Sequence, residues 1–349
     1  ERSAPRDRMS RAVLVTGGAG YIGSHTCRHL IDAGNAVVVV DNFYSGHRWA
    51  VPEQATLIEG DVGDPGLMHQ TLRQHEIDAV IHFAGHIVVP ESVRDPLKYY
   101  RNNTIASYHL VRACVDAGVS KFIYSSTAAV YGIPASLPVN EDASTVPINP
   151  YGASKLMTEW MLRDIASSCH GDELPAVVNR DFRYVALRYF NVAGARLDGT
   201  LGQATPEATH LIKVACEAAC GLRKGVTIFG TDYPTPDGTC VRDYIHVDDL
   251  AVAHLAALQY LGDGGASVAL NCGYGTGFSV REVLDTVKEV SNSDFKISEG
   301  RPRDGDPSNL IADARRIREI LRWEPKLQDI EVICRSAYNW EKQYQNKAR

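Results

Sequence analysis

Residues 13–23 read Val13-Leu14-Val15-Thr16-Gly17-Gly18-Ala19-Gly20-Tyr21-Ile22-Gly23, an apolar run that ends in glycines. A helical stretch, His25 to Ala33, follows directly. Glycines at a strand-to-helix turn let the backbone approach a pyrophosphate, and the helix N-terminus adds N–H groups and positive dipole. Two frames fit, Gly18-x-Gly20-x-x-Gly23 and Gly17-x-x-Gly20-x-x-Gly23. A plain tight turn also uses glycine, so the context carries the weight: strand before, helix after. The next apolar run, Val37 to Val40, ends at Asp41, 18 residues past Gly23. An acid there accepts hydrogen bonds from an adenosine ribose and favours NAD over its 2′-phosphorylated form. Arg48 is close in sequence and argues weakly the other way.

Working outward, apolar runs recur at Ala79–Ile81, Phe122–Tyr124 and Val185–Leu187, with helical patterns between them at Tyr99–Ala117 and Ser154–Ile165. Continuous apolar strands alternating with helices predict a parallel sheet covered on both faces, an α/β doubly wound fold of Rossmann type. After Asn191 the rhythm changes. Residues 195–209, 230–240 and 300–309 are rich in turn formers or polar. The expected organisation is a dinucleotide-binding domain over 10–190. A smaller mixed α/β substrate lobe takes most of 191–349, interleaved with strands that return to the first sheet.

Composition sets limits. The 349 residues carry a net charge of −6, which argues against a nucleic-acid partner, because phosphate backbones attract basic surfaces. No run approaches the ~18 apolar residues of a membrane helix. The opening ERSAPRDR has no apolar segment behind it, and Met9 reads as a native start. The eight cysteines are scattered without a C-x-x-C pair, and the twelve histidines include no pair at metal-ligand spacing. No metal is expected, and the thiols read as reduced and mostly buried in a cytoplasmic protein.

Residues 150–155 read Pro150-Tyr151-Gly152-Ala153-Ser154-Lys155. Proline suits a helix start, and residues four apart share a helix face. A phenol titrates near about 10, and a nearby ammonium lowers that value. The spacing therefore builds a general base. The bland alternative is a packed tyrosine and a solvated lysine.

TGGAGYIG, Asp41-Asn42, Phe83-Ala84-Gly85, SSTAAVYG (125–132), PYGASK and RYFN (188–191) occur in that order. The combination resembles the extended short-chain dehydrogenase/reductase superfamily. EGD (59–61), YPTPDGTCVRDYIHV (233–247) and RYFN resemble, within it, the UDP-glucose 4-epimerases, from about Ala12 to near Trp340. The resemblance implies Tyr151 as base, Lys155 beside it, and Thr127 as the hydroxyl that bonds the sugar's 4-oxygen. It implies Gly17, Gly20, Tyr21, Ile22 and Gly23 at the pyrophosphate, Asp41 and Asn42 at the adenosine ribose, and Asp61 and Val62 at adenine. Phe83, Ala84, Gly85, Asn102, Ser125 and Tyr189 complete the cofactor groove. Asn191, His210, Leu211, Phe229, Arg242, Arg303, Asp306 and Leu310 are the implied UDP-sugar contacts.

The same resemblance implies tightly held NAD, transient oxidation at C4 to a 4-keto sugar, rotation about the link to the diphosphate, and return of hydrogen to the opposite face. It also implies a homodimer paired through the helices around 99–117 and 153–166. Departures are visible. Ile87 stands where some relatives carry a lysine near the nicotinamide ribose, His210 where an asparagine is familiar, and Leu310 where tyrosine, cysteine or serine walls the sugar pocket. The 167–183 segment is longer than in bacterial relatives and reads as a surface loop. The rivals are a UDP-N-acetylglucosamine or UDP-xylose 4-epimerase, a 4,6-dehydratase, and a non-catalytic NAD-binding sensor protein. Ala128-Ala129 lack the acidic pair a dehydratase needs after its hydroxyl residue. The presence of both Tyr151 and Lys155 weighs against the sensor.

Overall fold

The computed structural model describes residues 12–168, 181–303 and 307–348. Met9, Cys169, Asp306 and most of the 167–183 segment lie outside the described residues. In chain order the strands are β1 (Ala12–Thr16), β2 (Val37–Asp41), β3 (Thr56–Glu59), β4 (Ile77–His82), β5 (Lys121–Thr127), β6 (Arg183–Tyr189), β7 (Asn191–Ala193), β8 (Val226–Phe229), β9 (Val241–His246), β10 (Val268–Cys272), β11 (Gly277–Ser279), β12 (Ile297–Gly300) and β13 (Asn309–Leu310). The α-helices are α1 (Tyr21–Asp32), α2 (Pro65–Gln74), α3 (Val89–Arg94), α4 (Pro96–Tyr99), α5 (Ala106–Ala117), α6 (Pro150–Ser168), α7 (Leu211–Ala219), α8 (Val247–Gly262), α9 (Val280–Ser291), α10 (Arg315–Leu321) and α11 (Ile330–Ala348).

The main sheet is seven-stranded, ordered β10-β6-β5-β4-β1-β2-β3, and every pairing in it is parallel. All five residues of β1 and all five of β2 are buried, which is why these strands read as unbroken apolar runs rather than alternating ones. Each fully buried valine contributes about 1.5–3 kcal/mol of transfer free energy. Chain order reverses between β1 and β4, and a ligand crevice opens at the C-terminal strand ends of such a switch point.

The other strands form smaller sheets. β9 pairs with β11, β13 and β7, while β8 pairs with β12. The returning strand, β10, joins the edge of the main sheet beside β6.

The helical pattern at Tyr99–Ala117 is one rod with a defect. Residues Tyr100–Ile105 form a π turn between α4 and α5. Such turns put extra side chains on one face and are frequent at functional sites. Among the described residues no helix is long and apolar enough to cross a membrane, and no group of His, Cys, Asp or Glu is arranged to hold a metal ion.

Candidate active site

The cofactor end begins at the turn after β1. Gly17 has φ +71°, and a methyl group there would lie 2.7 Å from the Ala84 amide nitrogen. A methyl group at Gly23 would lie 2.2 Å from the Gly17 carbonyl oxygen. The frame Gly17-x-x-Gly20-x-x-Gly23 is thus the one forced by backbone crowding, and Gly20 is the N-cap of α1. The Tyr21 hydroxyl donates to the Gly194 carbonyl at 2.6 Å, tying the glycine turn to the chain beyond β7.

Asp41 ends β2 and is buried. Its carboxylate accepts from the Ala19 amide at 2.9 Å and the Phe43 amide at 2.8 Å. Burial pushes its carboxyl up, against the pull of those two amides. Asn42 donates to Asp61 at 3.1 Å, and Asp61 also accepts from the Gly63 amide at 2.7 Å. Arg48, the residue that argued for a 2′-phosphate, pairs with Glu59 and lies over the Phe43 ring. The acid and amide rim, together with a cradle whose glycines admit no side chain, fits the pyrophosphate and unsubstituted ribose of NAD.

At the centre, Tyr151 and Lys155 lie one turn apart on α6, which starts at Pro150. Thr127 ends β5. Its side chain caps the following turn, accepting from the Ala129 amide at 3.1 Å, and its hydroxyl lies near enough to Tyr151 to lower the phenol's pKa. Lys155 Nζ donates to the Ser125 carbonyl at 3.0 Å and lies 5.1 Å from the Tyr124 ring centre. Glu159, one turn further on the same face, is forked by Arg188 and bonded by Ser126, a buried pair that fixes the helix against β5 and β6.

The titration differs from the expectation that Lys155 lowers the Tyr151 pKa. Burial raises the Tyr151 phenol, and the Thr127 hydrogen bond is the lowering influence. Burial also brings Lys155 down to about 8. Lys155 is buried and Tyr151 partly so, on the cleft wall, and desolvation is the largest influence on each.

The far end carries four arginines, Arg223, Arg242, Arg301 and Arg303. Arg303 lies 4.1 Å over the ring of Phe229. Arg223 pairs with Glu217 and donates to the Ala208 carbonyl. Asn191 donates to the Asp243 carbonyl at 3.1 Å. His210 is the N-cap residue of α7, with Nδ1 accepting from Gln203 at 3.0 Å. Burial lowers its pKa. Leu310 on β13 pairs in register with Arg242 of β9.

A single cleft of about 1490 Å³ joins the three parts. Every site residue named from the sequence that lies among the described residues lines it; Asp306 lies outside them. Sequence reasoning missed Phe190, Arg223 and Arg301, which also line it. Phe190 stood inside the RYFN motif; the two arginines had no motif around them. It also missed Asn103, in the π turn. Its side chain accepts from the His86 amide at 2.8 Å and donates to the His86 carbonyl and to Ser154, locking the loop after β4 to α6.

Residues 13–273 match the NAD dependent epimerase/dehydratase family. A UDP-glucose 4-epimerase of Azospirillum brasilense is 57% identical over 95% of this chain and 92% of that protein. The structure of UDP-glucose 4-epimerase from Brucella ovis in complex with NAD is 42% identical, with TM-score 0.88 over 94% of this chain and 97% of that one. The UDP-Glc/GlcNAc 4-epimerase from Campylobacter jejuni is 48% identical, with TM-score 0.81 over 95% and 99%. The chain belongs to the NAD-dependent epimerase/dehydratase family. Within that family its resemblance is to the UDP-glucose 4-epimerases.

Proposed function

We propose that the chain is an isomerase that interconverts UDP-glucose and UDP-galactose at C4 through a 4-keto sugar, using NAD that stays bound. The observation that carries this reading is that Thr127, Tyr151 and Lys155 line one cleft together with a glycine cradle and an arginine cluster.

Gly17, Gly20, Gly23, Asp41 and Asn42 would hold NAD, which would supply a two-electron acceptor for the C4 hydrogen. The chain does the rest. Tyr151 takes the proton of the 4-hydroxyl and returns it to the 4-oxygen after the sugar has turned. Thr127 holds that oxygen. Lys155, one turn along α6, donates to the Ser125 carbonyl and holds the helix face on β5, while the Thr127 hydroxyl is the influence that favours the phenolate. Arg242 and Arg303 grip the diphosphate with charge-assisted hydrogen bonds while the hexose stays loose. Proton and hydrogen each leave and return, so the reaction has no net redox change.

NMR of the purified protein with UDP-galactose, without added NAD, is the test. A mixture of C4 epimers is expected; no conversion after NAD is supplied would sink the reading.

Two observations favour a broader sugar range as the second reading. Leu310 is smaller than the tyrosine some relatives place there, and the Campylobacter jejuni relative is a UDP-Glc/GlcNAc 4-epimerase. Turnover of UDP-N-acetylgalactosamine or UDP-xylose at a rate similar to UDP-galactose would establish it.

The oligomer we propose is a homodimer through the helices around 99–117 and 153–166. Ile105 and Tyr108 on the first are each 51% exposed, and Trp160 on the second is exposed too. Light scattering should give twice the chain mass, and a monomer at micromolar concentration would refute it. A cytoplasmic setting is proposed from the thiols, since all seven described cysteines are free and only Cys220 is not buried. Recovery of the protein from an extracytoplasmic fraction would contradict it.

A further inference from the structure

The loop after β4, Phe83-Ala84-Gly85, lines the cleft; the residue before it, His82, ends the strand behind the cleft wall and is buried. Its imidazole bridges two elements that the reaction as described leaves unconnected. Nδ1 lies 2.7 Å from the Thr16 hydroxyl at the end of β1, and Nε2 lies 2.8 Å from the Ser107 hydroxyl of α5. The ring stacks on Tyr124, with centres 5.7 Å apart, and Tyr124 is also the ring that Lys155 Nζ faces.

The direction of these bonds follows from one carbonyl. Ser107 donates its single proton to the Asn103 carbonyl in the π turn, because a carbonyl only accepts. The Ser107 oxygen therefore accepts from His82, and Nε2 carries the imidazole proton. Burial, and after it the Lys155 charge, keeps the ring's pKa down at about 3, so the ring is neutral and has that one proton. Nδ1 is left as a lone pair that accepts from Thr16. The chain Thr16, His82, Ser107, Asn103 thus runs from the residue before Gly17 to the π turn, with every proton placed.

The other end of the loop is fastened to the same residue. The Asn103 side chain accepts from the His86 amide at 2.8 Å, and donates to the His86 carbonyl at 3.0 Å and to Ser154 at 3.1 Å. Phe83-Ala84-Gly85 is therefore clasped at both ends to Asn103, by His82 through Ser107 and by His86 directly. The clasped loop is a spacer between the two working parts of the cleft. On one flank, the Ala84 amide nitrogen is the atom that a methyl group on Gly17 would meet at 2.7 Å. On the other, a methyl group on Gly85 would lie 3.3 Å from Lys155 Nζ and 3.2 Å from Asn103 Oδ1.

We propose that His82 is a positioning residue: it clasps Phe83-Ala84-Gly85 to the π turn and so fixes the spacing between the glycine cradle and Lys155. The proposal rests on the NAD-epimerase reading and deepens it. His82 does not line the cleft and acts only through the loop it anchors.

The test uses the full chain with its bound cofactor and the substitutions His82→Leu, His82→Gln and Ser107→Ala. The readings are kcat and KM for UDP-galactose, NAD retained after gel filtration, and amide hydrogen exchange in residues 83–86 by mass spectrometry. His82→Leu leaves the Thr16 and Ser107 hydroxyls without their partner. A loop displaced by about an ångström misaligns cofactor and base, so kcat should fall about tenfold or more and retained NAD should drop. The UDP grip lies elsewhere, so KM should stay within about twofold. The loop amides should exchange about tenfold faster. His82→Gln carries an N–H donor and a carbonyl acceptor and should recover most of all three losses. Ser107→Ala cuts one link and should shift the same readings the same way by less. The His82→Leu/Ser107→Ala double variant should be no worse than His82→Leu, because both break one chain.

Wild-type kcat, NAD retention and exchange in His82→Leu would overturn the proposal. So would a rise in KM at unchanged kcat, losses that add in the double variant, or His82→Gln as damaged as His82→Leu. If His82→Leu does not fold, Ser107→Ala decides alone: a folded protein with all readings unchanged sinks the idea. Failure of the wild type to epimerise any UDP-sugar would instead be a failure of the functional reading, and the exchange comparison would still decide whether His82 clasps the loop.

Discussion

At the cofactor end of the cleft, Gly17 and Gly23 bring backbone within a methyl group's reach of backbone, and buried Asp41 pins the turn through two amides. At the substrate end, Arg303 leans on the half-open ring of Phe229, and the short strands β8, β9, β11, β12 and β13 replace the main sheet. One end is fixed by atoms that cannot move apart without unfolding the turn. The other is a set of long, charged side chains that settle around whatever they hold. An enzyme that keeps one ligand permanently and lets part of another turn over inside the site needs that asymmetry. Preorganised groups cost nothing when the reaction occurs, whereas a rotating sugar needs room.

Where the two ends meet, the largest effect is expected. Tyr151→Phe removes the group assigned to take the 4-hydroxyl proton, so kcat should fall by about 10²–10⁴. Bound NAD should survive, since the cradle is untouched. Loss of NAD together with activity would show that the ends are not separable. At the cofactor end, Gly23→Ala drives a methyl group against the Gly17 carbonyl. The purified protein should carry little NAD and melt at lower temperature. A variant that keeps its full complement would break the claim that this end is rigid.

How much of this was legible in the sequence follows the same line. The glycine turn, Asp41 and the Tyr151–Lys155 pair are local patterns, each decided by neighbours a few residues away, so they can be read directly. Arg223 and Arg301 reach the cleft from separate loops, and only the tertiary fold brings them there. The π turn at Tyr100–Ile105 kept an ordinary helical pattern and hid the grip of Asn103 on His86. The spacing of Tyr151 and Lys155 was visible. Their burial was not, and burial is what raises the one and lowers the other.

The buried histidines also make a prediction about pH. Burial holds His82, His246 and His254 neutral, with pKa values lowered to about 3, 4 and 4. Their folded values lie below the unfolded value of about 6.5, so between these limits the unfolded chain binds more protons and stability falls as pH falls. The loss is on the order of 2 kcal/mol per imidazole between pH 6.5 and 5. Calorimetry should find a lower melting temperature at pH 5 than at pH 7; no decrease would mean that these rings titrate freely. The adaptable half gives the smallest effect. Arg242→Ala should raise KM for UDP-galactose about tenfold, the worth of one charge-assisted contact, with kcat little changed. A fall in kcat at unchanged KM would place Arg242 with the chemistry rather than the grip.

The most direct measurement is isotopic. UDP-galactose carrying deuterium at C4 is incubated with the protein in ordinary water and the UDP-glucose product is read by NMR. Return of the same hydrogen by the permanently held cofactor predicts that the product keeps its deuterium at C4. Replacement of that label by solvent hydrogen would contradict the account, because the C4 hydrogen would then leave as a proton and the NAD cradle would have no part in the inversion.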